Sequence, residues 1–346
     1  MKADTYNFWT KKILLSYFLA VLVFMIHIST FANYIEPLGS RDIAKPLGWF
    51  VMAISRCAVP TFFIISGAVF FRDYTNDKYL KKLKSRIYTL LIPYLSWNTI
   101  WMIFGVVTTI YFSQYFYARI PSDLSPMGML LSIVHYTDNG PFWFIFNLIV
   151  FILVSPIIYL ALKNKYVGGI VVVLVMVVNE LGYGLPIKVF FESESIVYYM
   201  VGAYVGIHAF QWFSSSSKAK SVCGILMIIL CIWLRTSYPE VINNISLRTV
   251  VLTIYGFSLC FAFDMVSKNI CPPQFATRSF WVYAMHINVS AVITKLLFFV
   301  FPKTLFFAYL NFTITLILTL FLIEMTAIFF QRYCPFGYRM LSGGAK

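Results

Sequence analysis

The chain has 346 residues, of which 60% are hydrophobic and 12% are charged, and its formal net charge is +14 at pH 7. About 25% of the residues of a soluble domain are charged, so this composition excludes an ordinary soluble domain and indicates an integral membrane protein. The basic residues lie mainly in short segments between apolar runs, where the positive-inside rule explains them, and this argues against a nucleic-acid-binding surface.

The apolar runs predict an all-α, polytopic membrane protein with about ten transmembrane helices. The predicted spans are residues 13–32, 47–71, 87–113, 141–162, 166–187, 192–212, 219–235, 247–266, 278–301 and 304–331. Lys and Arg are concentrated in the segments on the same side as the N-terminus, which predicts that both termini are cytoplasmic. We expect a single transmembrane domain, residues 1–346, surrounded by membrane lipids.

The first predicted span contains the sequence FMIHIST at residues 24–30. An ionisable side chain such as that of His27 is costly inside a bilayer unless it is paired or hydrated, so it is a functional-site hypothesis. The structural alternative is a hydrogen bond between helices, which contributes about 1 kcal/mol in membranes.

Counting residues from the predicted helix ends, at about 1.5 Å each, places the ionisable groups of the spans at two levels. The outer level holds His27, Arg56, Glu180 and Lys295, and the deeper level holds His286, Asp264 and Glu324. The outer level predicts a polar chamber that opens outward, but snorkelling to the interface also explains Glu180 and Lys295. For Asp264 and Glu324 we expect solvation at the inner interface.

Two connecting segments carry further candidate residues. The cytoplasmic connector RDYTNDKYLKKLKSR, residues 72–86, is basic enough to bind phosphates, although the positive-inside rule alone explains its charge. The outer loop 114–140 contains His135, Tyr136 and Asp138, which are residue types that contact sugars, and its segment MGMLLSIV predicts a short interfacial or re-entrant helix. The six cysteines have no metal-ligand spacing, so neither a metal site nor a disulfide is predicted.

Five segments, in order, resemble the acyltransferase-3 family of bacterial membrane O-acyltransferases. They are LAVLVFMIHIS, SRCAVPTFFIISGAVFF, KKLKSRIYTLLIPYLSW, GPFWFIFNLIVFILVSPII and SFWVYAMHINV. The resemblance implies a plasma (inner) membrane enzyme that moves an acyl group from cytoplasmic acyl-CoA, with acetyl-CoA as the expected donor, to a sugar hydroxyl of a cell-surface or lipid-linked glycan. Two departures concern the donor. Ser16 stands where the family usually has an Arg, with Lys11 or Lys12 as substitutes, and Lys82 and Arg86 stand for paired arginines.

O-acyl transfer needs a base for the acceptor hydroxyl and hydrogen-bond donors for the developing oxyanion. His27 is the predicted base, and the predicted oxyanion donors are Arg56, Ser66 and Trp143. The cations predicted to bind the donor phosphates are Lys81, Lys82, Lys84 and Arg86. The residues predicted to bind the acceptor are Glu180, His135, Tyr136, Asp138 and His286, and His286 has a second base, a coenzyme contact or a structural role as alternatives. The competing functions are glycan or lipid export without acyl transfer and, less favoured, a sensor or scaffold.

Overall fold

The computed structural model describes residues 2–29, 51–112, 124–181, 193–238, 247–268, 270–302 and 304–344. All regular secondary structure in these ranges is helical, which confirms the all-α prediction for them. The helices are α1 (Lys2–Ser29), α2 (Ala58–Phe71), α3 (Tyr79–Arg86), α4 (Ile92–Phe112), α5 (Pro126–Val134), α6 (Trp143–Leu153), α7 (Ser155–Leu162), α8 (Lys165–Glu180), α9 (Ser193–His208), α10 (Phe210–Ser214), α11 (Lys218–Ser237), α12 (Arg248–Val266), α13 (Ser279–Val300), α14 (Leu305–Tyr333) and α15 (Pro335–Leu341).

Seven helical segments in the described ranges are long and apolar enough to cross a membrane, and a bent helix pair would make an eighth. The predicted fifth and sixth spans correspond to α8 and α9, which have 16 residues each. At about 1.5 Å per residue these helices are shorter than the roughly 30 Å hydrocarbon core. Parts of the predictions lie outside the described residues, namely 30–32, 47–50, 113–123, 182–187 and 192. The multi-pass character is therefore supported, while the count of ten and the side of the termini stay predictions.

Close packing between α2 and α9 forms the centre of the bundle. A Cβ at Gly202 of α9 would clash with the backbone of Ile64 in α2, and one at Gly206 would lie 2.5 Å from the carbonyl oxygen of Ala68. Small residues spaced by four let two membrane helices approach to backbone contact. This contact fixes α2 rigidly, and α2 in turn carries Ser66.

The basic connector is helical rather than an open loop. Helix α3 continues through a wide π-turn at residues 87–91 into α4, so that residues 76–112 form one long helical segment. Pro93 lies just after the π-turn, and its missing N–H makes a locally widened helix favourable at this point. Because the connector is helical, its basic residues point to two different faces.

The predicted fourth span, residues 141–162, is broken. Helices α6 and α7 meet at Val154 with a bend of 66°. Pro156 is the second residue of α7, where it cannot donate to the carbonyl four residues earlier and its ring crowds that turn. Trp143 is the first residue of α6.

Candidate active site

His27, near the end of α1, lies beside His286 of α13. The two imidazole ring centroids are 5.1 Å apart, with the planes tilted by 41°. The prediction that His286 lies at a deeper level than His27 is therefore wrong. We call these two residues the imidazole pair.

The level of His286 follows from where α13 begins. A 3₁₀ turn at Gln274–Arg278 precedes α13, and Phe275 in that turn packs against Tyr17 in the middle of α1, with ring centroids 5.1 Å apart. From there His27 is ten residues further along α1, and His286 is eleven residues further along the other segment. The turn before α13 thus lies beside the middle of α1. Counting residues from the start of α13, as if that start were at the cytoplasmic surface, therefore places His286 too close to the cytoplasmic side.

The surroundings of His286 fix its hydrogen-bonding state. The side chain is fully buried, and its Nδ1 lies 2.8 Å from the carbonyl oxygen of Tyr283 and 3.1 Å from that of Val282. Carbonyl oxygens only accept, so Nδ1 carries the proton and Nε2 presents a lone pair. Among the residues that the structure describes, no hydrogen-bond partner reaches this Nε2.

The segment before α6 packs against α13 beside the imidazole pair. The Asn139 amide donates to the carbonyl oxygen of Ala284 (3.3 Å), and the Asn288 amide donates to that of Asp138 (3.3 Å). The Phe142 ring stacks on the Tyr283 ring at 5.5 Å, and the Tyr283 ring centroid is 6.1 Å from that of His286. The structure thus brings the backbone at Asp138, from the predicted outer loop, to the helix that carries His286.

Trp143 follows this segment directly. Its ring centroid is 6.1 Å from that of Phe63 in α2, and both its sequence neighbours, Phe142 and Phe144, contact Tyr283. Trp143 is half-buried. Trp143 therefore packs on α2, between two residues that contact Tyr283 of α13.

A second constellation, which we call the basic pocket, lies lower in the bundle. Its volume is about 120 Å³, and its lining comprises Lys12, Ser16, Phe62, Ile65, Ser66, Val69, Phe70, Arg86, Leu90, Leu148, Ile152 and Tyr199. The side chains that line this mostly apolar space thus include two cations and three that carry hydroxyls. In the described part of the chain, no carboxylate lies within ion-pair distance of Lys12 or Arg86.

One face of α1 connects the basic pocket with the imidazole pair. Ser16, Ala20, Val23 and His27 are spaced by four, three and four residues, which is the spacing of side chains on one helical face. The eleven residues from Ser16 to His27 correspond to about 16 Å along the helix axis. Ser66, a predicted oxyanion donor, lines the basic pocket at the level of Ser16.

The four cations predicted to bind the donor divide between two faces of α3. Lys82 and Arg86, four residues apart, are partly buried, whereas Lys81 and Lys84 are exposed. The Lys82 ammonium donates to the carbonyl oxygens of Phe70 (2.5 Å) and Arg72 (2.9 Å). Lys82 thus caps the C-terminal end of α2, where a cation is favoured by the helix dipole, and Arg86 is the member of the set that lines the basic pocket.

Three predicted site residues have their described contacts with other parts of the protein. Arg56 is exposed, and its charged neighbour is Arg235 of α11. Glu180, at the end of α8, accepts a hydrogen bond at 2.7 Å from the backbone N–H of Thr249 in the first turn of α12, which is the position of a helix cap. His135 is exposed after α5, and its ring centroid is 6.4 Å from that of Phe146. Their roles in catalysis or acceptor binding stay predictions.

The two deep carboxylates form ion pairs inside the protein. Asp264 is fully buried and lies 2.7 Å from the ammonium of Lys11, so the expectation that the interface solvates it is wrong. Glu324 pairs with Arg278, which also donates to Gln331 at 2.9 Å. These carboxylates neutralise cations that would otherwise be buried alone.

An open cavity of about 1090 Å³ adjoins the basic pocket. It is lined by Phe8, Phe71, Arg72, Asp73, Tyr74, Tyr159, Gly206, Ile207, His208, Ala209, Phe210, Gln211, Trp212, Ser214 and Ser215. The Arg72 guanidinium lies over the rings of Phe210 (5.3 Å) and Trp9 (5.9 Å), and Lys12 lies over the same Trp9 ring (5.0 Å). Trp9 thus joins a cation of the open cavity to a cation of the basic pocket.

The comparison with protein families identifies the family of the chain. The model described as an acyltransferase domain matches residues 14–325, which cover most of the chain. The chain belongs to the acyltransferase-3 family. It is an acyltransferase, as the five motifs predicted, and this membership decides against an exporter that transfers no acyl group.

One curated relative is the succinoglycan biosynthesis protein ExoH of Rhizobium meliloti (strain 1021). It is 26% identical over 281 residues, which are 76% of this chain and 74% of the relative. No solved structure matches the chain. The likeness therefore spans most of both sequences and is distant.

From the sequence, Lys12 was named only beside Lys11 as a possible substitute for the Arg that the family usually has at position 16. Asn139 and the open cavity were not predicted. Lys12 lies one helical turn before Ser16, and this spacing distinguishes it from Lys11. Asn139 gives no signal in the sequence, because an Asn before Gly-Pro is typical of an ordinary turn. Its contact with Ala284 depends on the tertiary fold.

Proposed function

We propose that the protein transfers an acyl group, with acetyl as the expected group, from acyl-CoA to a hydroxyl of a cell-surface or lipid-linked glycan at a bacterial plasma membrane. The observation that carries this proposal is the single face of α1 that leads from the basic pocket at Lys12 and Ser16 to His27. An anionic, elongated donor with its reactive carbonyl at one end fits such an arrangement. The printed name of the Rhizobium relative, which refers to succinoglycan biosynthesis, supports a glycan as the acceptor.

The donor would enter from the side of the basic pocket. Phosphates are favoured by Lys12 and Arg86, because these partly buried cations have no carboxylate partner in the described residues. The open cavity suits the nucleotide end of acyl-CoA, since Arg72 and the rings of Phe210 and Trp212 supply a charge and flat apolar faces. The pantetheine arm would then follow the Ser16–His27 face over about 16 Å.

The chemistry at the other end is a proton transfer coupled to acyl transfer. His27 accepts the proton of the acceptor hydroxyl as its oxygen attacks the thioester carbonyl. The tetrahedral intermediate collapses with cleavage of the carbon–sulfur bond, and His27 returns the proton to the departing thiolate. Trp143 is a predicted oxyanion donor, and its sequence neighbours Phe142 and Phe144 contact Tyr283, three residues before His286; its indole N–H would supply one hydrogen bond.

The acceptor would approach along the segment that ends the predicted outer loop. Tyr136 adopts a left-handed backbone conformation (φ 52°), and its ring contacts that of Phe146 at 5.7 Å. Asp138 is held against α13 through its carbonyl oxygen. This segment therefore has a fixed shape next to His286, as a binding surface for a sugar requires.

The test uses the full-length protein in lipid nanodiscs with acetyl-CoA and a crude surface-glycan fraction. Release of free CoA is followed with a thiol reagent, and acyl esters on the glycan are detected by mass spectrometry. We expect both signals from the wild type and a loss of at least about 100-fold in His27→Ala, because general-base catalysis contributes roughly 10²–10⁴-fold.

The matched control is Thr313→Ala, which removes an exposed hydroxyl in α14 that bonds only the carbonyl oxygen of Tyr309 in its own helix. This variant should retain full activity. Undiminished transfer by a well-folded His27→Ala protein would remove His27 from the role of base. CoA release that does not require the glycan would indicate a thioesterase. If the folded wild type releases no CoA from any acyl-CoA, the proposal is wrong.

A further inference from the structure

Two neighbouring arginines lie at the end of the bundle where α1 ends. Arg56 is in the turn before α2, and Arg235, in the last turn of α11, is a charged neighbour of Arg56. Arg72, directly after α2, lies over the ring of Trp9 near the start of α1 (5.9 Å), so these two helices run antiparallel. The start of α2 therefore lies at the end of α1 that carries His27. We call Arg56 and Arg235 the arginine pair.

Packing between α2 and α12 fixes the backbone around this pair. The hydroxyl of Tyr255 in α12 lies 3.4 Å from the carbonyl oxygen of Ile54, and the thiol of Cys57 lies 3.0 Å from the same oxygen. Tyr255 and Cys57 are both buried and are neighbours of Arg235, which is itself partly buried. The guanidinium groups are thus attached to a rigid part of the bundle.

Neither member of the arginine pair has a counter-charge among the described residues. No carboxylate there lies within ion-pair distance of either guanidinium, and the buried Nε of Arg235 has no hydrogen-bond partner. Arg248, at the start of α12, differs because its guanidinium lies 3.3 Å from the carboxylate of Glu194. An arginine does not lose its charge, and two like charges repel. An anion that binds to both guanidinium groups would therefore stabilise the pair.

We propose that the arginine pair binds an anionic group of the acceptor, a carboxylate or a phosphate, and that the acceptor is therefore an acidic glycan. This inference rests on the proposed function. A guanidinium donates two parallel N–H bonds to either oxyanion, so the pair itself suits both groups. The basic pocket begins at Lys12, near the start of α1, and the arginine pair lies at the other end of α1. The anions of the donor and of the acceptor would thus be bound at opposite ends of the helix that carries His27.

A phospholipid headgroup carries the same phosphate chemistry at a membrane surface. The position of Arg235 favours the glycan. Trp233, two residues earlier and therefore on nearly the opposite face of α11, is 50% exposed, whereas Arg235 lies beside the buried Cys57 and Tyr255. The guanidinium of Arg235 is thus on the side of α11 that packs on the bundle, and not on its exposed face.

The test on the wild type uses the full-length protein in phosphatidylcholine nanodiscs with acetyl-CoA. The crude surface-glycan fraction is separated by anion exchange into a neutral and an anionic pool. We expect kcat/KM for the anionic pool to be at least about tenfold higher, the scale of one charge-assisted hydrogen bond. Two portions of the anionic pool are then modified, one by reduction of its carboxyl groups to alcohols and one by cleavage of its phosphate esters with hydrofluoric acid. The treatment that removes the preference identifies the anion, and a preference that survives both treatments overturns the inference.

The test of the site itself uses substitutions of the two arginines. Arg56→Gln and Arg235→Gln should each raise the apparent KM for the anionic pool about tenfold, with kcat within about threefold and KM for acetyl-CoA within about twofold of the wild type. Arg235→Lys keeps the charge and loses the paired N–H groups. It should raise this KM about threefold, and it tests the site if the Gln variants do not fold. Thr236→Ala is the matched control and should leave all three constants unchanged, because its exposed hydroxyl bonds only carbonyl oxygens of its own helix.

The outcomes separate this inference from the proposed function. A folded wild type that acylates neither pool contradicts the proposed function and the inference together. Equal kcat/KM for the two pools overturns the inference alone. A lower kcat with an unchanged glycan KM in Arg56→Gln would make Arg56 an oxyanion donor. An effect of the substitutions that appears only in nanodiscs containing phosphatidylglycerol would make the ligand a lipid headgroup. Either of these two results overturns the acceptor site.

Discussion

Lys11 and Lys12 are consecutive residues of α1 with opposite electrostatic environments. The Lys11 ammonium lies 2.7 Å from the carboxylate of Asp264 and 3.4 Å from the carbonyl oxygen of Phe213. Lys12 lines the basic pocket with Arg86, and within the described ranges neither has a carboxylate partner. Among the described residues, Lys11 is therefore neutralised by a carboxylate and Lys12 is not.

The difference indicates which cation serves structure and which awaits a ligand. The chain neutralises the buried Lys11 with Asp264, and Lys220 adds a second cation 3.8 Å from the same carboxylate. At the basic pocket the described residues supply two cations and no carboxylate partner, although like charges repel and burial raises the cost. A ligand that supplies the missing negative charge, such as a phosphate group, would relieve this cost.

The largest expected effect is on stability, through Lys11. Lys11→Met leaves the buried Asp264 carboxylate with the more distant Lys220 and the backbone N–H of Ser217, and breaking a buried pair costs about 3–5 kcal/mol. We expect a fall of about 3 kcal/mol in the free energy of unfolding, measured by thermal or denaturant unfolding in detergent. The double variant Lys11→Met/Asp264→Leu should recover most of the loss, and equal instability of both would show that the ion pair is not the cause.

The second prediction concerns Lys12 and Arg86, whose substitution should affect donor binding and leave stability unchanged. Lys12→Gln and Arg86→Gln should each raise KM for acetyl-CoA about tenfold, equivalent to about 1.4 kcal/mol of binding, with kcat within about threefold of the wild type. Neither should destabilise the protein, because each removes an unpaired cation. Steady-state kinetics and unfolding in the same detergent check both halves. An unchanged KM in both variants would dissociate the basic pocket from donor binding.

Ser16 offers a control for the placement of the charge. Because Ser16 and Lys12 line the same pocket one turn apart, Lys12→Ala/Ser16→Arg should recover at least half of the donor affinity, expressed as free energy, that Lys12→Ala loses. Ser16→Lys in the same background tests whether charge alone suffices. No recovery in either double variant would show that the position of Lys12, and not only its charge, is needed.

The sequence predicted the elements whose chemistry is local. The low charge and long apolar runs predicted an all-helical membrane protein, and the order of five motifs predicted the family. His27 was singled out by its place inside an apolar run. These predictions do not depend on how the helices are arranged, because an imidazole or a charge inside a bilayer is costly in any arrangement.

The depths of the ionisable side chains relative to one another, and their contact partners, were not predictable from one sequence. The level of His286 depends on α13 beginning at the turn that packs on Tyr17, and helix ends alone do not reveal a recessed start. Glu180 faces the first turn of another helix, and Lys82 faces the end of α2, which are tertiary contacts. The charge of a residue and its position in a span could therefore identify it as a candidate. They could not show whether it caps a helix or contacts a ligand.

The smallest expected effects distinguish the two faces of α3. Lys84 is exposed on the face opposite Arg86, so Lys84→Gln should change KM for acetyl-CoA by less than about twofold and leave stability within about 0.5 kcal/mol, as for most surface substitutions. Lys82→Gln should instead lower the unfolding free energy by about 0.5–1 kcal/mol, because the cap on the C-terminal carbonyls of α2 is lost. Its KM should change less than that of Arg86→Gln. The same kinetic and unfolding assays rank the three variants. If KM for acetyl-CoA rises equally in Lys84→Gln and Arg86→Gln, donor binding depends on the total positive charge of the connector. The difference between paired and unpaired cations would then not explain donor binding.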